Sequence, residues 1–264
     1  MKLDSETRSD RPTAVFGPLA DDYAAARPGY PDALFEALWM RLPSPAGRAP
    51  LVLDVAAGTG AATAPLVARG ARTLAIEPAI SMLLHARNRL GREPHWLGAV
   101  AGRAEALPVA TGVADAGVVA QAFHWLDETA SLAEIARVLR PRGLLAVLWN
   151  IAEEDAFIRE VWEVVEAMNP GHKRPVTVEK RRTPEALAAH PAFTVLPPQE
   201  FAHVRRLTAD EYVRYAFSWS YVGGALGPAE RTDFERQLRA LFARHHEGVR
   251  VERLVAVAHF ARRR

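Results

Sequence analysis

The sequence predicts an α/β protein with a doubly wound, mostly parallel sheet of seven strands and helices on both faces. Short apolar runs alternate with segments whose apolar residues recur at helical spacing. The run 144–150 is almost wholly apolar, as in strands that are buried on both faces of a parallel sheet. Helical patterns before the first strand and after the fifth indicate additions over one end of the sheet.

Composition excludes several classes of protein. The 264 residues are 49% hydrophobic and 24% charged, as in ordinary globular proteins, and contain no cysteine. Disulfides and cysteine-ligated zinc are therefore excluded, and no metal site is indicated. No apolar run reaches the roughly 20 residues of a membrane span. We expect a cytoplasmic protein that binds neither membranes nor nucleic acid, since the basic stretch 172–182 favours a solvated loop.

The order of the patterns predicts one domain over residues 13–264, preceded by a disordered segment at 1–12. The predicted parts are cap helices (13–50), a cofactor-binding core (51–150), helical additions on the substrate side (151–199 and 208–246) and closing strands (200–207 and 249–261). A capping box at Thr208-Ala-Asp-Glu211 predicts where one added helix begins. Residues 141–143, Pro-Arg-Gly, predict the end of the helix that precedes the fifth strand.

The segment from Leu51 to Gly60 predicts a nucleotide site. An apolar strand ends near Asp54, a turn with Gly58 and Gly60 follows, and the second strand closes on Glu77. This β-α-β unit places small residues and an acid at the strand ends, where a ribose can bind. No Gly-Lys-Ser/Thr phosphate loop follows, and Thr63 replaces the third glycine of a dinucleotide fingerprint. The strand-one carboxylate would repel a pyrophosphate and attract an ammonium or sulfonium.

On these residues the sequence resembles the class I S-adenosylmethionine-dependent methyltransferases, which have a Rossmann-like fold. The matching segments are Asp54-Val-Ala-Ala-Gly58-Thr-Gly60, Glu77-Pro78, Gly102-Arg-Ala-Glu-Ala-Leu-Pro108, Ala120-Gln-Ala-Phe-His-Trp-Leu-Asp127 and Arg137-Val-Leu-Arg-Pro-Arg-Gly143. Within the family it looks most like the trans-aconitate methyltransferase-like branch, on Ala26-Arg-Pro-Gly-Tyr-Pro31, Gln121-Ala-Phe-His-Trp125 and Ser218-Trp-Ser-Tyr-Val222.

The resemblance implies S-adenosyl-L-methionine as cofactor and assigns residues to it. Glu77 would bind the ribose hydroxyls, and Asp54 the methionine ammonium or the N–H groups of its own loop. The further cofactor residues would be Tyr23, Arg27, Ala56, Gly58, Pro78, Met82, Ala104, Glu105 and Gln121. Three of these have competing interpretations: core packing for Met82, simple exposure for Glu105, and surface placement for Arg27.

The resemblance also implies an acceptor site after the fourth strand. His124 would be a general base, or a structural histidine that bonds a backbone carbonyl. The pocket residues would be Trp125, Trp149, Asn150, Trp219 and Tyr221, although aromatic residues in helices are core by default.

The implied reaction is methyl transfer to a small molecule, at a carboxylate or a hydroxyl, by a monomer or homodimer. The alternatives are N- or C-methylation of a natural product, a nicotinamide-dependent oxidoreductase, and a cofactor-binding protein without catalysis.

Two residues depart from the family pattern. Ala56 stands where the loop has its first glycine, and Arg142 stands where a second glycine often precedes the fifth strand. If the Ala56 position needs a positive φ, alanine costs about 1 kcal/mol or more. We expect a slightly shifted turn at Ala56 rather than loss of binding, and no effect of Arg142 on the chemistry.

Overall fold

The computed structural model describes residues 16–43, 47–170 and 182–264. The predicted disorder at 1–12 lies outside these residues, as does most of the basic stretch. Five parallel strands form one part of the sheet: β1 (Leu51–Val55), β2 (Arg72–Ile76), β3 (Trp96–Val100), β4 (Ala114–Ala120) and β5 (Leu139–Ala152). The order β3-β2-β1-β4-β5 reverses direction between β1 and β4, which is the topological switch point where open α/β sheets bind ligands.

The sheet continues antiparallel beyond β5. Strand β8 (Val249–Arg263) pairs with β5, and its other edge pairs with β6 (Phe193–Val195) and β7 (Gln199–Thr208). The doubly wound, mostly parallel sheet is thus confirmed. Among the described residues the sheet has eight strands, not seven, because the sequence pattern did not reveal the three-residue β6.

Helices cover both faces of the sheet and one of its ends. They are α1 (Ala20–Ala26), α2 (Asp32–Trp39), α3 (Thr63–Ala68), α4 (Ile80–Leu90), α5 (Glu128–Val138), α6 (Ala156–Met168), α7 (Thr183–Ala189), α8 (Ala209–Phe217) and α9 (Pro228–His245). A short 3-10 turn, Phe123–Trp125, follows β4. Within the described ranges no helix combines the length and apolar character needed to cross a bilayer.

The near-continuous apolar strands are explained by two cores, one on each face. Successive side chains of a strand point to opposite faces. On β5, Val147 and Trp149 therefore join a core with Ile135 of α5, whereas Ala146 and Leu148 join a second core with α2 and α3. A third apolar cluster lies among α6, α8 and α9, so these helices form a layer of their own.

The helix before the fifth strand ends ahead of residues 141–143, as predicted, since α5 ends at Val138. Strand β5 begins earlier than the predicted residue 144 and runs through this segment. Pairing with β4 shifts register between Leu139 and Leu144, and Arg142 sits in the left-handed region with φ of 63°. The segment is therefore a bulge within the strand, which absorbs the extra residues without ending the ladder.

Candidate functional site

The loop after β1 turns by left-handed backbone. Ala56 and Gly58 both have φ of 55°, and Gly60 has φ of 78°. Ala56 therefore adopts the conformation that glycine favours. A side chain at Gly60 would lie 3.2 Å from the Ala86 Cβ, so this glycine also permits close packing of the loop on α4.

Asp54 is fully buried beneath this loop. Its Oδ2 accepts a hydrogen bond from the Thr63 hydroxyl at 2.5 Å, and its Oδ1 has no hydrogen-bond partner within the described part of the chain. The pKa of the Asp54 carboxyl is raised to about 7. Burial is the main cause, the Thr63 bond opposes the shift, and the nearby Glu77 adds to it. The role of Thr63 was missed, although a hydroxyl at the third-glycine position was visible in the sequence.

Glu77, after β2, closes the other side of the loop. Its Oε2 accepts from the Gly58 N–H and its Oε1 from the Ala79 N–H, both at 3.0 Å. Burial raises the pKa of the Glu77 carboxyl, and the two N–H donors oppose that shift. Each oxygen keeps a second lone pair, so both loop contacts are compatible with further donors. The carboxylate thus ties the glycine loop to the start of α4.

The segment around α1 covers the loop. A side-chain carbon at Gly58 would lie 3.5 Å from the Met82 Cε and 3.9 Å from a Tyr23 ring carbon. Phe16 packs edge-on against Tyr23 at 5.8 Å and against Trp125 at 5.3 Å between ring centroids. Met82 is 3% exposed in a small cluster with Ala20 and Ala79, in agreement with its core interpretation.

Two side chains that follow Glu77 in sequence differ in exposure. Pro78 is half-buried, whereas Ile80 is 59% exposed, an unusual value for an isoleucine at the start of a helix beside a buried acid. The Ile80 side chain is therefore available to a flat apolar group.

The loop after β3 is held by carboxylates. Ala104 is buried, and the Glu105 Oε1 accepts from the Asp127 N–H at 3.1 Å. The Glu134 Oε2 accepts from the Leu107 N–H at 2.8 Å and pairs with Arg137. Glu105 therefore joins the loops after β3 and β4 rather than standing exposed.

The ends of β4 and β5 meet through two amides. Gln121 has φ of 57°, and its Nε2 donates to the Asn150 carbonyl at 3.1 Å. The Asn150 Nδ2 donates to the Gly29 carbonyl at 2.8 Å, and its Oδ1 lies 2.9 Å from the His203 Nε2. His203 was not among the predicted site residues, because it lies on β7, on the far side of β8, and no local sequence signal indicates this contact.

Arg27 lies in the cap between aromatic rings. Its guanidinium is 4.7 Å from the Tyr23 ring centroid and 5.8 Å from that of Tyr215, and its Nη2 donates to the Ser218 carbonyl at 2.8 Å. The Arg27 Nε is buried and unpartnered among the described residues, so surface placement is excluded. Burial raises the pKa of the Tyr23 hydroxyl, an effect that Arg27 opposes.

The predicted pocket aromatics divide into two groups. His124 packs against Trp125 at 5.2 Å and against Trp149 at 5.5 Å between ring centroids. Trp149 is fully buried and donates from Nε1 to the Thr183 hydroxyl at 3.1 Å, so it packs in the sheet core beneath His124 instead of lining a pocket.

Trp219 and Tyr221 belong to the third apolar cluster. Trp219 is 5% exposed and stacks on Trp162 at 5.7 Å, with the Tyr221 ring 5.6 Å away. Trp219, in the turn that follows α8, and Tyr221 therefore pack against the helical layer, which is a core role instead of the predicted pocket role.

Comparisons with known proteins agree with this geometry. A family model described as a methyltransferase domain matches residues 53–147. An uncharacterized methyltransferase of Mycobacterium tuberculosis is 34% identical over 232 residues, which are 87% of this chain and 86% of that protein.

Solved structures extend the similarity to the fold. A protein assigned as a type II methyltransferase from Anaeromyxobacter dehalogenans superposes with a TM-score of 0.59 and 26% identity over 88% of this chain and 97% of that one. A [4+2]-cyclase superposes with a TM-score of 0.57 over 96% and 94% of the two chains, and at 17% identity it shows a shared fold alone.

Proposed function

Because the chain belongs to the class I S-adenosylmethionine-dependent methyltransferases, we propose that it transfers the methyl group of S-adenosylmethionine to a small molecule, at a carboxylate or a hydroxyl oxygen. The observation that carries the proposal is the buried pair Asp54 and Glu77 on either side of the glycine loop. We also propose the trans-aconitate methyltransferase-like branch, a cytoplasmic location and a monomer or homodimer.

The residues at the loop fit this cofactor. The unpartnered Oδ1 of Asp54 suits the methionine ammonium, because a cation stabilises the ionised form of a carboxyl whose pKa is about 7. Arg27 suits the methionine carboxylate, since its Nε is a buried donor without a partner within the described segments. The cofactor supplies a methyl group that is already electrophilic, so the protein has mainly to bind and to orient.

Glu77 is proposed to accept both ribose hydroxyls through its remaining lone pairs. The bonds from Gly58 and Ala79 fix the carboxylate in place before a ligand binds, which lowers the entropic cost of binding. Ile80, Pro78 and Met82 would border the ribose and adenine on one side, and Ala104 and Glu105 on the other.

The acceptor is proposed to lie near Gln121, Asn150 and Trp125. Positioning alone can supply roughly 7–11 kcal/mol in well-oriented systems, and a carboxylate acceptor needs no base. A hydroxyl acceptor would benefit from one, for which His124 is the proposed group. If the rate of a His124→Ala variant has the same pH profile as the wild type, the base role is excluded.

Cofactor binding tests the proposal directly. In calorimetry with S-adenosylhomocysteine, we expect Glu77→Ala to weaken binding about 100-fold, because hydrogen bonds to a charged group are lost on a buried site. Glu93→Gln, at an exposed acid, is the matched control and should bind like the wild type.

Since Glu77 also holds the loop, the unfolding temperature of each variant is measured alongside its affinity. Wild-type affinity in a folded Glu77→Ala variant would remove the ribose assignment. Binding of NADH by the wild type, without binding of S-adenosylhomocysteine, would favour the oxidoreductase alternative instead.

A further inference from the structure

We infer that His203 is a positioning residue for the methyl-transfer site and acts through Asn150. This inference rests on the proposed function, since it assigns a role within that site. His203 lies on β7, outside residues 53–147 that match the family model. Its ring reaches the end of β5, where the polar contacts of β4, β5 and the cap converge.

The hydrogen bonds fix which atoms donate. The Asn150 Nδ2 donates to the Gly29 carbonyl at 2.8 Å, so its Oδ1 faces His203 and must accept. The Nε2 of His203, at 2.9 Å from that oxygen, therefore carries the hydrogen. Burial lowers the pKa of His203, and Arg205 lowers it further while Glu252 opposes the shift. A neutral His203 has one N–H, and Asn150 receives it.

Asn150 also contacts the end of β4, so its position affects Gln121. Its carbonyl accepts from the Gln121 Nε2 at 3.1 Å, and Gln121 holds φ of 57°. Left-handed backbone is unfavourable for a non-glycine residue, so surrounding contacts must stabilise it. The chain His203–Asn150–Gln121 therefore joins β7 to the residue that is proposed to lie beside the methyl group.

Arg205 adds a second anchor two residues along the same face of β7. Its Nη1 donates to the Ala26 carbonyl at 3.1 Å, and its Nε donates to the buried Glu252 at 2.5 Å. Both ends of the segment from Ala26 to Gly29 are thus tied to the sheet by side chains of β5 and β7. That segment carries Arg27, so its attachment sets where this guanidinium lies.

A merely structural role for His203 would change stability and leave ligand affinity intact. A positioning role changes the affinity for the cofactor, because the cap places Arg27 and Tyr23 at the glycine loop. Two variants distinguish these roles. One removes the N–H donor at position 203 but keeps a side chain of similar size, and the other supplies a donor from a different side chain.

The test compares His203→Phe with His203→Gln by calorimetry with S-adenosylhomocysteine. Loss of this part-buried hydrogen bond predicts that the Kd of His203→Phe rises about five- to tenfold. The amide of His203→Gln can still donate to Asn150, so its Kd should stay within about twofold of the wild type. His259→Phe is the matched control. His259 is a half-buried histidine of β8 that pairs with Val147 of β5, and its side chain points to the opposite face of the sheet from that of Asn150.

Wild-type affinity in His203→Phe would overturn the inference. If the wild type itself binds no S-adenosylhomocysteine, the proposed function fails, and the inference fails with it. Nitrogen-15 NMR of the wild-type histidines needs no variant to fold. We expect a proton on Nε2 and none on Nδ1 of His203 at neutral pH, and the opposite tautomer would contradict the assignment.

Discussion

At the residue scale, left-handed backbone marks the site at two non-glycine residues. Ala56 follows β1 with φ of 55°, and Gln121 follows β4 with φ of 57°, so both lie at the strand ends where the sheet reverses direction. Such residues persist where surrounding structure requires them, and they concentrate at functional sites. The expected shift of the turn at Ala56 is not seen; the loop instead keeps a glycine-like geometry.

Replacing Ala56 by glycine should therefore stabilise the protein. We expect Ala56→Gly to raise the free energy of unfolding in urea by about 0.5–1 kcal/mol, since the relief of left-handed strain exceeds the added chain entropy. Ala57→Gly is the control, because Ala57 has no positive φ and should lose a little stability. If Ala56→Gly is less stable than the wild type, Ala56 is not strained by its left-handed backbone.

The buried carboxyl of Asp54 predicts a pH dependence of stability. Its pKa is about 7 in the fold and about 4 in an unfolded chain, so the folded protein holds the extra proton between these values. The contribution of Asp54 to stability is fully present below pH 4 and is lost as the pH rises through about 7. About three pKa units correspond to a loss on the order of 4 kcal/mol.

Asp54→Asn should remove this pH-dependent contribution to stability, because an amide does not titrate. Urea unfolding from pH 4 to pH 8 should show wild-type stability falling relative to the variant, and the difference should level off above about pH 7. A constant difference across the range would mean that Asp54 is ionised throughout.

The sequence located Asp54 and Glu77 because their positions follow from one local β-α-β pattern. It did not reveal that Glu77 accepts the N–H groups of Gly58 and Ala79, nor that Thr63 bonds Asp54. The contact of His203 with Asn150 joins residues 53 positions apart, and no periodicity reports such a distance.

At the element scale, the start of α8 was predicted correctly. The capping box at α8 is confirmed: the Thr208 hydroxyl accepts from the Glu211 N–H, and the Glu211 carboxylate accepts from the Thr208 N–H. This signal is local, since the two partners are three positions apart in the sequence. Strand pairing between residues far apart in the sequence, as in β6 and in the bulge of β5, was not predicted from the sequence pattern.

Removing the cap should destabilise the protein measurably. We expect Thr208→Ala to lower the free energy of unfolding by about 1 kcal/mol, because an N–H at the start of α8 loses its acceptor. Thr232→Ala, within the first turns of α9 and bonded only to the Pro228 carbonyl, should be neutral or slightly stabilising. Equal effects of the two variants would argue against the cap.

At the scale of the whole molecule, the sheet order explains how distant segments form one site. Strands β1, β2, β4 and β5 bring Asp54, Glu77, Gln121 and Asn150 to the same sheet edge, as parallel strands must. The apolar run in β5 predicted the two-sided burial. The antiparallel placement of β8 between β5 and β7 was not predicted, and it is this placement that brings His203 to the site.

Transfer of an isotope-labelled methyl group from S-adenosylmethionine to a small-molecule extract tests the central claim most directly. We expect the wild type to label a small product, and Glu77→Ala to label about 50-fold less at a cofactor concentration near the wild-type Kd, since its affinity is expected to be about 100-fold weaker. If the labelled methyl group is bonded to oxygen in the product, the proposed acceptor class is supported. If it is bonded to nitrogen or carbon, the alternative of N- or C-methylation is correct. Tight cofactor binding with no labelled product from any fraction would contradict methyl transfer and favour a cofactor-binding role without catalysis.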